Sequence, residues 1–270
     1  MKILKIGFDQ IRDQIKSLYH SKDKAGNYVF KLHDADRSKI AARETETALF
    51  RILSGIQVSW AEESIKRIFY EKDLFTDAQR TYLIRQGELG QKWYKTLDVV
   101  FCIAYGLVPA GDETCKSVNI RLQRRQLGST LVNQYLHLRE IITRHLMPNF
   151  AIRNKVQHGE WLYGFKPSFS EVFSQDITDQ LQRENIVTTT SRFTLVNAFY
   201  QMIVDMGRFK SGAFALDPNI TPFEYFYPHY IRKIDFEVKK INTPELDAYI
   251  DEMIDREIRG QQHRAARAGQ

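Results

Sequence analysis

Apolar residues recur at three- and four-residue intervals along most of the chain, the spacing of one helix face. Between Asp34 and Leu53 this spacing takes in Ile40, Ala48, Leu49, Ile52 and Leu53, with Asp, Arg and Glu between them. Trp60–Tyr70 repeats the pattern through Trp60, Ser64, Ile65, Ile68 and Phe69. Thr76, with Gln79 three residues on, has the form of a capping box and opens a helical stretch towards Leu107. Gly87 and Gly90 kink that stretch or divide it, and Pro109, Gly111 and Asp112 mark a loop. The pattern resumes near Cys115 and is expected to stop at Pro148. A short helix over 149–157 follows, with Gly159 as its C-terminal cap.

Beyond that point the signal weakens. Trp161–Phe173 reads as loop, 179–184 and 191–206 as helices, and Ser211–Pro228, rich in aromatics, Gly and Pro, as an irregular packed loop. Tyr230–Val238 alternates and reads as one short edge strand. Pro244–Ile258 reads as helix, and the basic, small-residue tail beyond it as frayed. The pattern predicts an all-α fold, with a main helical domain over 1–210 and a C-terminal appendage over 211–270.

Composition changes this picture little. Of 270 residues, 43% are apolar and 27% charged, which is ordinary globular usage and argues against wholesale disorder. Lys plus Arg is 39 against 33 for Asp plus Glu, a net charge of +6 that permits an anionic partner without requiring one. Two cysteines, Cys102 and Cys115, make neither a disulfide framework nor a zinc site and fit a reducing cytoplasm. The N-terminal stretch carries charges every few residues, unlike a signal peptide. The longest apolar run, Val99–Val108, is about half of the roughly 20 residues that span a bilayer, so it reads as a core helix segment. A cytoplasmic protein with no membrane partner is the expectation.

Most signatures of chemistry are missing. The chain has no Gly-rich phosphate loop ending in Gly-Lys-Ser/Thr, no His-Glu-x-x-His, no Cys-x-x-Cys and no Gly-x-Ser-x-Gly. These absences count against nucleoside triphosphatases, zinc hydrolases and α/β-hydrolases. The informative segment is 151–159, Ala-Ile-Arg-Asn-Lys-Val-Gln-His-Gly. Three Arg–His pairs in the chain have similar spacing: Arg153/His158, Arg139/His145 and Arg256/His263. Glu140 and Glu257 follow the arginine in the other two, whereas Arg153 is followed by Asn154, and Gly159 follows His158. On a helix Asn154 and His158 share a face, while Arg153 and His158 lie about 140° apart. Arg153 must then bend round, or His158 must leave the helix at Gly159, or two copies must pool their side chains across a symmetric dimer.

The segment resembles the active-site motif of the HEPN superfamily, small all-α domains in which Arg and a polar residue precede a His by a few positions. It also follows a long amphipathic helix, where that family places the core helix before its motif helix. The resemblance covers Thr114 to Met206. It implies an HEPN-like bundle and a homodimer with Arg153, Asn154 and His158 in one cleft. The activity it implies is metal-independent, cofactor-free endoribonuclease cleavage that leaves 2′,3′-cyclic phosphate ends. Imidazole can act as acid or base near neutral pH, a guanidinium can hold the non-bridging phosphate oxygens, and Asn154 can orient either. Enzymes of this kind recur as toxins, paired with an antitoxin, and as effectors of antiviral defence. A non-catalytic HEPN-like module that binds a partner protein or a nucleotide ligand is the alternative. Helix capping by Arg153 and His158 is the structural one.

Other residues join these on weaker grounds. Glu140 can orient His158 from outside, or form an i,i+4 ion pair with Arg144. Lys116, Arg121, Arg124 and Arg125, with Lys155, make a basic surface that can follow RNA phosphates, or a solvated face. Trp161 and Tyr163 can stack unpaired bases, or pack in the core. Lys92, Trp93, Tyr94 and Lys95 read as core, His145 as a helix cap before Pro148, and the aromatics from Phe223 to Tyr230 as a satellite core or dimer contact.

Overall fold

A computed structural model describes residues 2–22, 28–30, 40–108, 111–151, 165–166, 169–210 and 222–268. The fold is all-α. Helices α1 (Lys2–Tyr19), α2 (Ile40–Phe69), α3 (Asp77–Ile84) and α4 (Leu89–Ala104) are followed by a 3-10 turn (Ile120–Gln123), α5 (Arg124–Leu127) and α6 (Ser129–Ile141). A π turn (Ile142–Leu146) leads from α6 into α7, of which 147–151 are described. Helices α8 (Gln175–Arg183), α9 (Ile186–Lys210), α10 (Pro222–Asn242) and α11 (Leu246–Ala268) complete the chain. Two short antiparallel ribbons accompany them. Strand β1 (His20–Lys22) pairs with β2 (Tyr28–Phe30), and β3 (Phe165–Lys166) with β4 (Phe169–Phe173), placing Phe165 opposite Phe173.

The chain divides into two compact units. The first comprises Val58–Ile152 and Ser191–Ile241. The second comprises Lys2–Gln57, Asn242–Gln270 and the described part of Arg153–Thr190. Helix α10 belongs to the first unit and buries Phe223, Phe226 and Ile234.

In the first unit α4 is the central element. Its apolar run is the buried segment that the sequence suggests, with Trp93, Leu97, Val99, Val100, Phe101, Cys102 and Ile103 all buried. The Phe101 ring lies 4.6 Å from Tyr135 of α6, 4.7 Å from Tyr105 and 5.4 Å edge-on from Phe223 of α10. Such aromatic pairs add roughly 0.5–1.5 kcal/mol each beyond area burial. The Tyr105 hydroxyl accepts the Phe223 backbone N–H at 3.1 Å, satisfying a donor that the first turn of α10 cannot. Two close approaches require glycine. A Cβ on Gly90 would meet Met147 Cγ at 2.7 Å, and one on Gly207 would overlap Leu74 Cδ1.

The second unit buries Phe8 and Ile15 of α1, Phe50 and Leu53 of α2, Leu181 of α8 and the start of α9. Asn185 caps α9 reciprocally. Its Oδ1 accepts the Thr188 N–H, and Thr188 Oγ1 accepts the Asn185 N–H, both at 3.0 Å. Arg51 and Glu184 are buried together, and burial lowers the Arg51 pKa while Glu184 opposes the shift.

The structure corrects several expectations. Tyr230–Val238 is not an edge strand but part of α10, whose buried positions Phe223, Phe226, Ile234 and Glu237 keep helical spacing while Phe236 is 56% exposed. The tail does not fray at Gly260, since α11 continues to Ala268. Pro148 does not stop its helix. The π turn immediately before it, in which the Met147 N–H reaches back to Ile142 O, widens the ring where a proline would otherwise clash, and helix continues through 151. Within the stretch expected to be loop, 165–166 and 169–173 form the second ribbon. Two separate helical patterns in 34–70 are one helix, α2. The Thr76 capping box is present as expected, with both reciprocal bonds formed, and the chain breaks at 85–88 between α3 and α4.

Candidate functional site

The residues expected to do chemistry fall into three groups. Arg153, Asn154, Lys155, His158, Trp161 and Tyr163 lie outside the described residues. The basic segment Lys116–Arg125 is described in full, and the helical run from α6 into α7 is described as far as residue 151.

The basic segment hangs from one carboxylate. Asp112 Oδ1 accepts the Thr114 N–H at 3.2 Å and the Thr114 hydroxyl at 2.8 Å. Oδ2 accepts the Ser117 N–H at 2.9 Å and the Ser117 hydroxyl. The Ser117 and Thr114 donors hold the carboxyl well below the usual carboxylate range, although it is almost unburied. Between them Cys115 adopts φ 58°, a left-handed conformation that fixes a sharp bend, and its buried thiol lies against that of Cys102. The Cys115 contact and burial push the Cys102 thiol far up. Past this staple, Asn119 Oδ1 accepts the Arg121 N–H at 3.1 Å to start the 3-10 turn. Lys116, Arg121, Arg124 and Arg125 are all exposed, as is Leu122 at 75%. Arg124 donates to Asn133 at 3.3 Å.

Glu140 sits near the end of α6, while His158, the ring it can orient, lies outside the described residues. It pairs with Arg144 one turn away at 2.8 Å, and both side chains are largely exposed. Of the other Arg–His pairs, Arg139 is committed elsewhere, its guanidinium 3.7 Å above the Tyr94 ring and its Nε 3.5 Å from Asp98. Trp93 is core, as expected.

His145 is not a helix-end cap. It lies half-buried within the π turn, one turn before the buried Asn149. Arg192 of α9 donates to Asn149 Oδ1 at 3.4 Å. Burial holds the His145 pKa below its ordinary value, Arg192 and Arg144 add to the shift, and Glu140 opposes it. Sequence reasoning missed this grouping because Arg192 stands 43 positions from Asn149 and no local motif joins them. A histidine three residues before a mid-helix proline was the available signal.

No family model, curated protein or solved structure matches the chain. Among the described residues, no helix is long and apolar enough to cross a membrane, and no cluster of three or more His, Cys, Asp or Glu side chains could hold a metal ion.

Proposed function

We propose that the chain is a metal-independent HEPN-type endoribonuclease of the cytoplasm, acting as a homodimer in toxin–antitoxin or antiviral-defence systems. The observation that carries this reading is the Arg153-Asn154…His158-Gly159 segment, which begins two residues after the described end of the long α6–α7 run. The all-α fold and the exposed cations Lys116, Arg121, Arg124 and Arg125 support it, since RNA phosphates are held by just such accessible charge. In this mechanism His158 moves the proton of the ribose 2′-OH or of the leaving 5′-oxygen. Arg153 neutralises the phosphorane oxygens, and Asn154 orients the imidazole.

The test compares wild type with His158→Ala on end-labelled RNA in the presence of EDTA, alongside melting curves. Wild type cleaves despite the chelator and leaves 2′,3′-cyclic phosphate ends. The variant melts like wild type and cleaves at least about 100-fold more slowly, the usual contribution of one acid–base group. Equal cleavage by the purified variant, or loss of wild-type cleavage on chelation, overturns the reading.

A further inference from the structure

We propose that the outward face of α10, along Tyr225, His229, Arg232, Phe236, Lys239 and Lys240, is a binding surface for single-stranded nucleic acid. It needs none of residues 152–164 and does not rest on the nuclease reading.

At about 100° per residue, α10 presents two faces in different directions. Phe223, Phe226, Ile234 and Glu237 are buried and define the inner one. Tyr225, His229, Arg232, Phe236, Lys239 and Lys240 fall within an arc of about 100° on the outer one. Tyr225 is 49% exposed and Phe236 56%, and His229, Arg232 and Lys239 are exposed with them. From Tyr225 to Lys240 the stripe runs about 22 Å at the helical rise. A single exposed ring is ordinary, but two in line with cations make a patch.

The rings are held from behind. Tyr225 meets the buried Phe226 edge-on, with centroids 5.0 Å apart. His229 meets Tyr230 in the same way at 4.9 Å, and the Tyr230 hydroxyl donates to Asp205 of α9 at 2.5 Å. Lys240 Nζ lies 4.3 Å from the centre of the Phe236 ring, and Arg232 Nε donates to the Pro228 carbonyl at 3.4 Å. Rings fixed in this way lose little freedom when a flat base lies against them. The arc carries three permanent cations and no acidic position, since Glu224, Asp235 and Glu237 all fall outside it. Rings alternating with cations suit a strand whose bases are unpaired, the bases stacking while the phosphates meet the charges. Single-stranded RNA and DNA share that chemistry. A second copy is a poorer occupant, because a two-fold axis would set the same cations against each other. Helices that lie on lipid put apolar and charged side chains on separate faces, whereas here they share one.

The measurement is the fluorescence anisotropy of a short labelled single strand with the full-length protein. It is made with DNA and with RNA methylated at its 2′-oxygens, so that 2′-OH chemistry cuts neither. Tyr225→Ala and Phe236→Ala, exposed changes whose melting curves match wild type, each weaken binding by about fivefold to a hundredfold, the loss of one stacked base. Phe236→Trp keeps it. Arg232→Gln weakens it and flattens its dependence on salt. Binding of one polymer alone assigns the surface to that polymer, and equal binding assigns it to the bases and phosphates they share; each supports the proposal. A wild type that binds neither strand, or a duplex bound as tightly as the single strand, overturns it. So does binding that both ring variants leave unchanged, including where Phe236→Ala instead breaks a dimer or releases the protein from phosphatidylserine vesicles. No outcome depends on cleavage, so the result stands whatever the His158→Ala assay gives.

Discussion

Asp98 and Asp112 lie in the same compact unit, and their surroundings shift them in opposite directions. Asp98 on α4 has company that ought to favour its charge. It accepts from the Tyr135 hydroxyl at 2.5 Å and faces Arg139 at 3.5 Å and Lys95 at 3.6 Å. Burial nonetheless raises its pKa, outweighing all three. Asp112 is less enclosed, yet its Ser117 and Thr114 donors hold it far below the usual range. The difference lies in donors per oxygen. Each Asp112 oxygen takes two short bonds from the next five residues, with water still at hand. Nearby opposite charge is a poorer stabiliser of a carboxylate than a closely fitted set of local donors.

The strongest way to break the contrast is Asp98→Ala. Removing the carboxyl strands the Tyr135 hydroxyl and an Arg139 guanidinium in a largely enclosed place, so the variant should lose about 2–4 kcal/mol by denaturant melt. Asp98→Asn keeps an acceptor for Tyr135 and should cost less than half as much. The pH dependence gives a second reading. A carboxyl whose folded pKa is raised binds its proton more tightly when folded, so stability falls as pH rises from the ordinary carboxylate range to the raised value. Asp98→Asn removes that downward slope. A variant whose stability still falls over that window would place the burial penalty on another group.

Asp112→Asn works on the other side and should cost about 1 kcal/mol, comparable to losing a helix cap. The amide keeps one acceptor but turns its NH2 towards donors that need an oxygen. The sign of the pH effect is reversed. A depressed pKa contributes stability that is complete above the ordinary carboxylate range and is lost as pH falls below it. Wild type therefore weakens in acid more steeply than the variant, and parallel acid limbs for the two would show that the staple contributes nothing. Because Lys116 and Cys115 lie inside the stapled turn, hydrogen exchange at their amides should quicken first.

The same contrast explains what could be seen in the sequence. Thr76-x-x-Gln79 announces itself, because donor and acceptor are only three residues apart. Helical spacing likewise announces α2, α4 and α9. Tyr230–Val238 misled because two periods fit so short a stretch. The one that won buries Ile234 on the same face as Phe223, a fact outside the window. Pro148 misled for a related reason. A proline is a local stop, and only the packing of Met147 against Gly90 and of Asn149 against Arg192 makes it worth accommodating. Arg192 itself carries no local mark. Legibility followed sequence separation: contacts within one turn could be read, and those between helices could not.

Glu140 supplies the smallest and sharpest test, because it has neither Asp98's enclosure nor Asp112's converging donors. It pairs with Arg144 across 2.8 Å of open surface. An exposed i,i+4 pair contributes only about 0.3–0.5 kcal/mol, since water and salt screen it and two long side chains must be held still. Glu140→Gln should thus leave the melting curve nearly unchanged, and added salt should erase what difference there is. If the residue instead orients His158, the same substitution would slow RNA cleavage severalfold and shift its pH profile while stability stays put. Unchanged cleavage alongside unchanged melting assigns Glu140 to the ion pair alone. It would also mean that a carboxylate in this fold matters only where donors converge on it or burial raises the stakes.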